Sequence, residues 1–379
     1  MAQARPGLLF FLFRKNRANL KNGGKNMKKK LALALALAMT MSMALTACGG
    51  GDKSSGGSTS NPGQSSGTSS SQPSGTSSSQ PSSGLSAKDG GTSLTFTTGG
   101  DQGTYYGFGG VLGGKVGETT STTVTAVPSG GSKANIENMD LEDAQLGFVQ
   151  SDVMAYAYNG ERLFDTKIDS FSTVAALYME QVQIVTLSPD IKTVADLKGK
   201  SVSVGDQGSG VYFNAVDVLA AYDLDVEKDI KPQYLSFGDS AENLQDGKID
   251  AAFVVAGAPT TAVTTLAASN DVYLVSLDDE HIEKLIASSP YYSKNVISKD
   301  AYNTPEDVTT VAVGAVVIAR NDVSDADVYN FLYGVFENID TLGHDKAKEL
   351  SLEFASSVTA VPYHPGAVAY FADKGITVK

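Results

Sequence analysis

The chain reads as an α/β protein with two mainly parallel sheets, each covered by helices and facing the other across a cleft. Three observations carry this reading. From residue 93 onward, short apolar strands alternate with helical stretches, the pattern that lays helices over a parallel sheet. A strand, a Gly-rich loop and a helix follow one another at 93–118 and again at 201–222. The remaining body, about residues 91–379, is large for one compact domain and suits two, at about 100–200 residues each.

Residues 93–98 (SLTFTT) and 122–127 (TTVTAV) are β-branched and aromatic, which predicts strands. Between them a loop at 99–106 leads into a helix at 107–118. A helix at 133–141, a strand at 144–148 and a helix at 152–158 follow. Apolar runs predict strands at 174–177 and 183–186, and the unit then restarts with strand 201–204, loop 205–210 and helix 211–222. Next come strand 234–236, helix 240–245, strand 251–255, helix 260–268 and strand 272–276. The last third is more helical, with stretches at 325–338 and 345–352 after a strand at 310–319. One lobe is expected from 91–186 and 310–379, the other from 187–309, with crossovers near 184–190 and 304–312.

The segment before this body has another character. Lys28, Lys29 and Lys30 precede an apolar run at 31–45, and Leu45-Thr46-Ala47-Cys48 is followed by three glycines. A basic n-region, an apolar h-region and a small-residue cleavage site make residues 27–47 a secretory signal peptide. The run is shorter than the about 20 apolar residues of a membrane span. Its ending resembles the lipobox of bacterial lipoproteins, which implies that Cys48, the single cysteine of the chain, is acylated and becomes the N-terminus. Translation is expected to start at Met27, with residues 1–26 outside the native protein. Residues 48–90 are an anchor and spacer of Gly, Ser, Thr, Pro and Gln in which SGTSSSQP occurs at 66–73 and again at 74–81. Such a composition buries too little apolar surface to offset the entropy of ordering, and a flexible chain of this length spans about 35 Å. The G-x-S-x-G string at 63–67 lies within it, where neither strand nor helix can form.

Charge and composition exclude several functions. Nine of the 29 basic residues and none of the 42 acidic ones precede Cys48, leaving 20 against 42 and a net charge of −22 after cleavage. A surface this acidic repels nucleic acid and anionic headgroups. The three histidines, His281, His344 and His364, lie far apart without metal-ligand spacing. Gly109 to Lys115 falls one residue short of a P-loop, since Val116 stands where Ser or Thr binds magnesium. Nothing assembles a nucleophile, a base and an orienting acid. No catalytic residue, metal or cofactor is expected.

Binding chemistry is better supported. Gly103, Thr104 and Tyr105 in one unit and Gly208, Ser209 and Gly210 in the other open helices, where free N–H groups and the dipole favour an anion. Ser132 and Asn135 stand at a third helix start, and Gln150 closes a strand. With Arg162 and Arg320 the only arginines after Cys48, a guanidinium clamp on a carboxylate is not expected. Lys133 is the one nearby cation. Gln150, Ser151 and Asp152 are positioned to meet an amino group or to cap the helix that follows them. His364, between Pro362 and Pro365, is expected to be structural.

Several segments resemble the TAXI family, the extracytoplasmic solute receptors of tripartite ATP-independent periplasmic (TRAP) transporters. They are Thr97-Thr-Gly-Gly-Asp-Gln-Gly-Thr-Tyr-Tyr106, Gly131-Ser-Lys-Ala-Asn-Ile-Glu-Asn138, Asp143-Ala-Gln-Leu-Gly-Phe-Val-Gln-Ser-Asp152 and Leu197-Lys-Gly-Lys-Ser-Val-Ser-Val-Gly205. Asp246-Gly-Lys-Ile-Asp-Ala-Ala-Phe253 with Ala256-Gly-Ala-Pro259, and His364-Pro-Gly-Ala367, complete the set. Lys133 and Phe108 depart from the family pattern. The resemblance implies a type II periplasmic-binding-protein-like fold, two lobes closing on a ligand, and a lipid-anchored monomer. Such a receptor captures a small carboxylate (glutamate or a related amino acid or dicarboxylate) and delivers it to a membrane permease. A sensor lobe or an extracytoplasmic enzyme on the same scaffold is the alternative, because fold alone does not set function.

Overall fold

The computed structural model describes residues 85–379. The expectations for residues 1–26, the signal peptide at 27–47, Cys48 and the spacer up to residue 84 lie outside the described residues. The end of the expected spacer belongs to the folded body. Leu85 packs against the core, and the backbone of Lys88 exchanges hydrogen bonds with the Asn330 side chain at 2.7 and 3.0 Å.

The first third holds strand β1 (Ser93–Thr97), helix α1 (Thr104–Thr119), β2 (Thr123–Val127), α2 (Ser132–Asp140), β3 (Leu146–Gln150), α3 (Ser151–Asn159) and β4 (Phe171–Thr186). Then follow β5 (Ser201–Ser203), α4 (Val211–Ala221), β6 (Lys231–Gln233), α5 (Phe237–Gln245), β7 (Ala251–Ala256), α6 (Thr261–Ala267), β8 (Tyr273–Leu274), α7 (Asp279–Ser288) and β9 (Ser293–Ile297). Strand β10 (Val308–Arg320) leads to α8 (Asp325–Phe336), α9 (Leu352–Ala355) and α10 (Pro365–Asp373).

The strands follow one hydrogen-bonded path, β2-β1-β3-β10-β4-β7-β5-β6, with β8 added on β4 and β9 on β10. Its two ends match. Strands β2, β1 and β3 are parallel to one another, as are β6, β5 and β7. Between them β10 and β4 run antiparallel to each other and to their outer neighbours. The expected pair of mainly parallel sheets is thus two parallel ends joined through an antiparallel centre. The fold is α/β and two-lobed: the β2-β1-β3 end is the first lobe, the β7-β5-β6 end the second.

The two crossing strands explain where sequence and structure part. Residues 174–177 and 183–186 belong to one 16-residue strand, because the stretch between them is also buried and supplies no turn residue. Partners change inside the strands, about Tyr178–Gln181 in β4 and Ala312–Ala315 in β10, the first a few residues before the expected 184–190 and the second at the end of the expected 304–312. Register shifts at Ala315/Val316 and Val317/Ile318 mark bulges, which bend the paired strands. The expected strand 234–236 lies at Lys231–Gln233 instead, since Ser236 caps α5 by accepting from Asp239 N at 3.1 Å. The expected helix 345–352 is a 3₁₀ turn followed by α9, interrupted where Ser351 caps the new helix. Helix α10 escaped the sequence reading although His364 and Pro365 mark its start: His364 Nδ1 accepts from Gly366 N at 3.2 Å, and proline suits the first helical position. His364 is buried.

Each lobe has apolar packing on both faces of its sheet. Phe96, Phe108, Leu112, Phe148 and Phe331 fill one side of the first lobe, and Ile136, Val149, Met154 and Val316 the other. In the second lobe Val202, Ala215, Leu219 and Phe253 oppose Ala252, Val254, Leu266 and Val272. Strands β3 and β7 are therefore buried at every position, as strands covered on both faces are. Among the described residues no helix is long and apolar enough to cross a membrane.

Candidate functional site

Three loops from the two lobes meet over the centre of the sheet. In the first lobe, β1 ends into Gly99-Gly100-Asp101-Gln102-Gly103, and β2 into Ser129-Gly130-Gly131. In the second, β5 ends into 205–210. All three loops lie beyond the carboxyl ends of parallel strands and open helices, the position where open α/β sheets take ligands. Gly131 (φ +95°) and Gly205 (φ +85°) have backbone conformations that side chains disfavour.

Between the loops lies a cavity of about 640 Å³, counted out to its open mouth. Gly103, Thr104 and Tyr105 line it, as do Ser132, Gln150, Ser209 and Gly210. Asn135 and Gly208 are not in the lining. Asn135 is fully buried behind the second loop. Its amide donates to Thr98 O and Phe148 O at 2.5 and 2.7 Å, and its oxygen accepts from Thr97 and Ser129 at 2.8 and 2.5 Å. Asn135 therefore fixes the loop that carries Gly131 and does not reach the cavity. Gly208 contributes its carbonyl to Ala134 N of the other lobe at 3.0 Å. Lys133, expected near the site, points away, paired with Glu137 and 5.6 Å from the Phe164 ring.

The three helix starts differ in what they offer. First-turn N–H groups have no acceptor within their own helix. In α2 the Ala134 N–H is taken by Gly208, which leaves Ser132 and Lys133. In α1 the Thr104 hydroxyl is committed to Gly257 O across the lobes at 2.9 Å. Ser209 Oγ is buried without a hydrogen-bond partner among the described residues. So is Gln150 Oε1, an acceptor, while Gln150 Nε2 donates to Asn214 Oδ1 at 2.9 Å. Apolar wall is supplied from the second lobe by Val211, Leu235, Phe237 and Val255.

The charged residues in the lining are Glu180 and Asp206, both acidic. Glu180 lies in the middle of β4, where the strand passes from one lobe to the other, and is 2% exposed. It accepts the Tyr105 hydroxyl at 2.6 Å. Tyr105 is held in turn by stacking on Phe148, centroids 4.5 Å apart. Burial pushes the Glu180 carboxyl up to about 8, Asp152 adding to the rise while Tyr105 and Lys346 oppose it. Glu180, Asp206 and Phe237 were missed from sequence. For Glu180 a signal existed: a lone acid inside an apolar strand, in the gap between the two runs taken for separate strands.

A second polar cluster joins the lobes beside the cavity. Asn214 of α4 accepts from Gln150, donates to Asp152 Oδ2 at 3.0 Å and donates to Tyr292 OH at 2.9 Å. Tyr292 donates to Asp217 at 2.9 Å, and Arg162 holds both oxygens of Asp217 at 2.7 and 3.1 Å. Asp152 sits in this cluster and not in the cavity lining, and burial pushes its carboxyl up to about 7, with Asp217 adding to the rise. Ser151 accepts from Gly314 N at 3.0 Å. Contact is so close that a Cβ on Gly210 would lie 1.6 Å from Gln150 Oε1. The two lobes therefore touch directly beside the cavity.

A parallel strand set at each end, two long strands shared between the ends and a glycine-lined cleft over their crossing make a periplasmic-binding-protein-like fold. The chain belongs to the NMT1-like family, whose sequence profile matches residues 96–375. Solved structures similar in chain course include the periplasmic aliphatic sulphonate binding protein SsuA of Escherichia coli (16% identity, TM-score 0.38, covering 76% of this chain and 94% of that one). Another is a putative L-cystine ABC transporter protein of Listeria monocytogenes (13%, TM-score 0.43, 71% and 99%). A third is substrate binding domain 2 of GlnP from Lactococcus lactis (13%, TM-score 0.39, 70% and 98%).

Proposed function

We propose that the protein is a lipid-anchored, extracytoplasmic receptor that captures a small carboxylate and delivers it to a TRAP-type membrane permease. The observation that carries the binding part is the convergence of three glycine-bearing helix starts from two lobes on one cavity. Helix N-termini favour anions through free N–H groups and the dipole. Glycine at 131 and 210 lets the backbone come close, and the Ser209 hydroxyl faces the same space. The resemblance to TAXI receptors supports the permease, and the lipobox-like Cys48 supports the anchor. The acidic lining and the unpartnered Gln150 oxygen favour a carboxylate that also carries hydrogen-bond donors, such as an α-amino acid. The overall charge of −22 repels anions, but it is screened over about 8 Å. Donors in a closed cleft act at contact, at about 1.5–3 kcal/mol for each bond to a charged group. Calorimetry against amino acids, dicarboxylates, sugars and cations tests the reading. Binding of an amino acid or dicarboxylate is expected; binding confined to sugars or cations overturns it.

A further inference from the structure

Glu180 poses a problem that a carboxylate-binding cleft does not by itself resolve. It is an acid, almost fully buried, in the wall of the cavity that faces the helix starts. One oxygen accepts from Tyr105, and among the described residues no Lys, Arg or His lies within ion-pair distance of the other. Tyr178 on the same strand, Tyr105 on α1, Asp152 on α3 and Asp206 across the cavity bring no positive charge. Lys346 brings one, but it is paired with Glu349 and lies over the Tyr178 ring, 5.6 Å from its centroid. A buried carboxylate without a counter-charge is strongly disfavoured. It must hold a proton or be met by a cation from the ligand.

Resting on the carboxylate reading above, we propose that Glu180 selects ligands by their ammonium group through a proton. With the cleft unliganded or holding a ligand that lacks an amine, Glu180 is the neutral acid. An ammonium-bearing ligand takes the place of that proton, which passes to solvent, and the ionised carboxylate pairs with the ammonium. Gln150 lines the same cavity, and its oxygen, buried without a partner among the described residues, is a second acceptor for the ammonium hydrogens. The raised affinity of Glu180 for its proton, to about 8, is consistent with the neutral acid at pH 7. Capture of an amino acid is then proton-linked, and capture of the corresponding plain diacid is not.

L-glutamate and glutarate share both carboxylates and differ in the ammonium, so they are the probes. Calorimetry of the protein at pH 7, in buffers of differing ionisation enthalpy, is expected to show release of about one proton with L-glutamate and none with glutarate. Affinity for L-glutamate should tighten about tenfold from pH 6 to pH 7 and level off above the Glu180 titration. In Glu180→Gln the released proton and this pH dependence disappear, and the preference for L-glutamate over glutarate narrows. The protonated carboxylic-acid infrared absorption of the ligand-free protein at pH 7 should lose its Glu180 component in Glu180→Gln and keep that of Asp152, which reads the same proton without any ligand; an unchanged absorption overturns the inference. Equal proton release in wild type and Glu180→Gln overturns this inference while leaving the carboxylate reading intact. Failure of both probes to bind overturns the carboxylate reading and this one with it.

Discussion

Removing the side chain of Asn214 should separate closure of the cleft from folding of the lobes. Asn214 belongs to the second lobe, yet two of its bonds reach the first, to Gln150 Nε2 at 2.9 Å and Asp152 Oδ2 at 3.0 Å. In Asn214→Ala the closed protein holds a buried amide donor and a buried carboxyl without these partners, at about 1–3 kcal/mol each. When the lobes part, both groups meet water. The cost therefore falls on closure. The Asp152 carboxyl, pushed up to about 7, is partly neutral at physiological pH, which places its share in the lower part of the range. A total of about 2–4 kcal/mol weakens ligand binding by about 30- to 1,000-fold. The bond to Tyr292 at 2.9 Å lies within the second lobe, so its loss lowers unfolding stability by about 1 kcal/mol in open and closed forms alike. Titration calorimetry reads the first effect, denaturant unfolding without ligand the second, and small-angle scattering the shift toward an open form. An affinity within threefold of wild type, with the whole loss in unfolding stability, would refute the assignment of these bonds to closure.

Other outcomes follow from the same geometry. Gly210→Ala should fold normally but weaken ligand binding, because its Cβ falls 1.6 Å from Gln150 Oε1 and the displaced amide loses its 2.9 Å bond to Asn214; an affinity equal to wild type contradicts this. Glu180 is pushed up from 4.5 to about 8, so the native state holds a proton that the unfolded chain releases, and wild-type stability falls as pH rises through that window. Glu180→Gln should match wild type below pH 4.5 and exceed it by about 3 kcal/mol at pH 7, and parallel pH–stability curves would rule this out. Asn135→Ala should lower unfolding stability by about 2–4 kcal/mol through four bonds, three of them buried, whereas Thr104→Ala should cost about 1 kcal/mol of ligand affinity through its bond to Gly257. Cys48→Ser should abolish labelling by palmitate, and persistent label would remove the anchor.

Local patterns carried much of this protein in its sequence. Alternation of β-branched strands with helices, and a strand–glycine–helix unit written twice, are set by neighbours a few residues apart. The α/β class, the two lobes and three of the loops around the cleft could therefore be read directly. Gly103, Ser132, Ser209 and Gly210 do line the cavity, since the need for a helix start or a close backbone approach is local. Other features arise only when distant segments meet. Strand β4 looked like two strands because periodicity does not show that both faces of a long strand will be covered. Its Glu180 became part of a site only when the crossing placed it under the cleft. Asn135 looked like a ligand group at a helix start, but packing against β1 and β3 committed all its hydrogen-bonding capacity inward. Asn214 and Asp152, 62 residues apart, carry no mutual signal along the chain. Their pairing depends on how the lobes close, a relation between surfaces that short-range propensity does not encode.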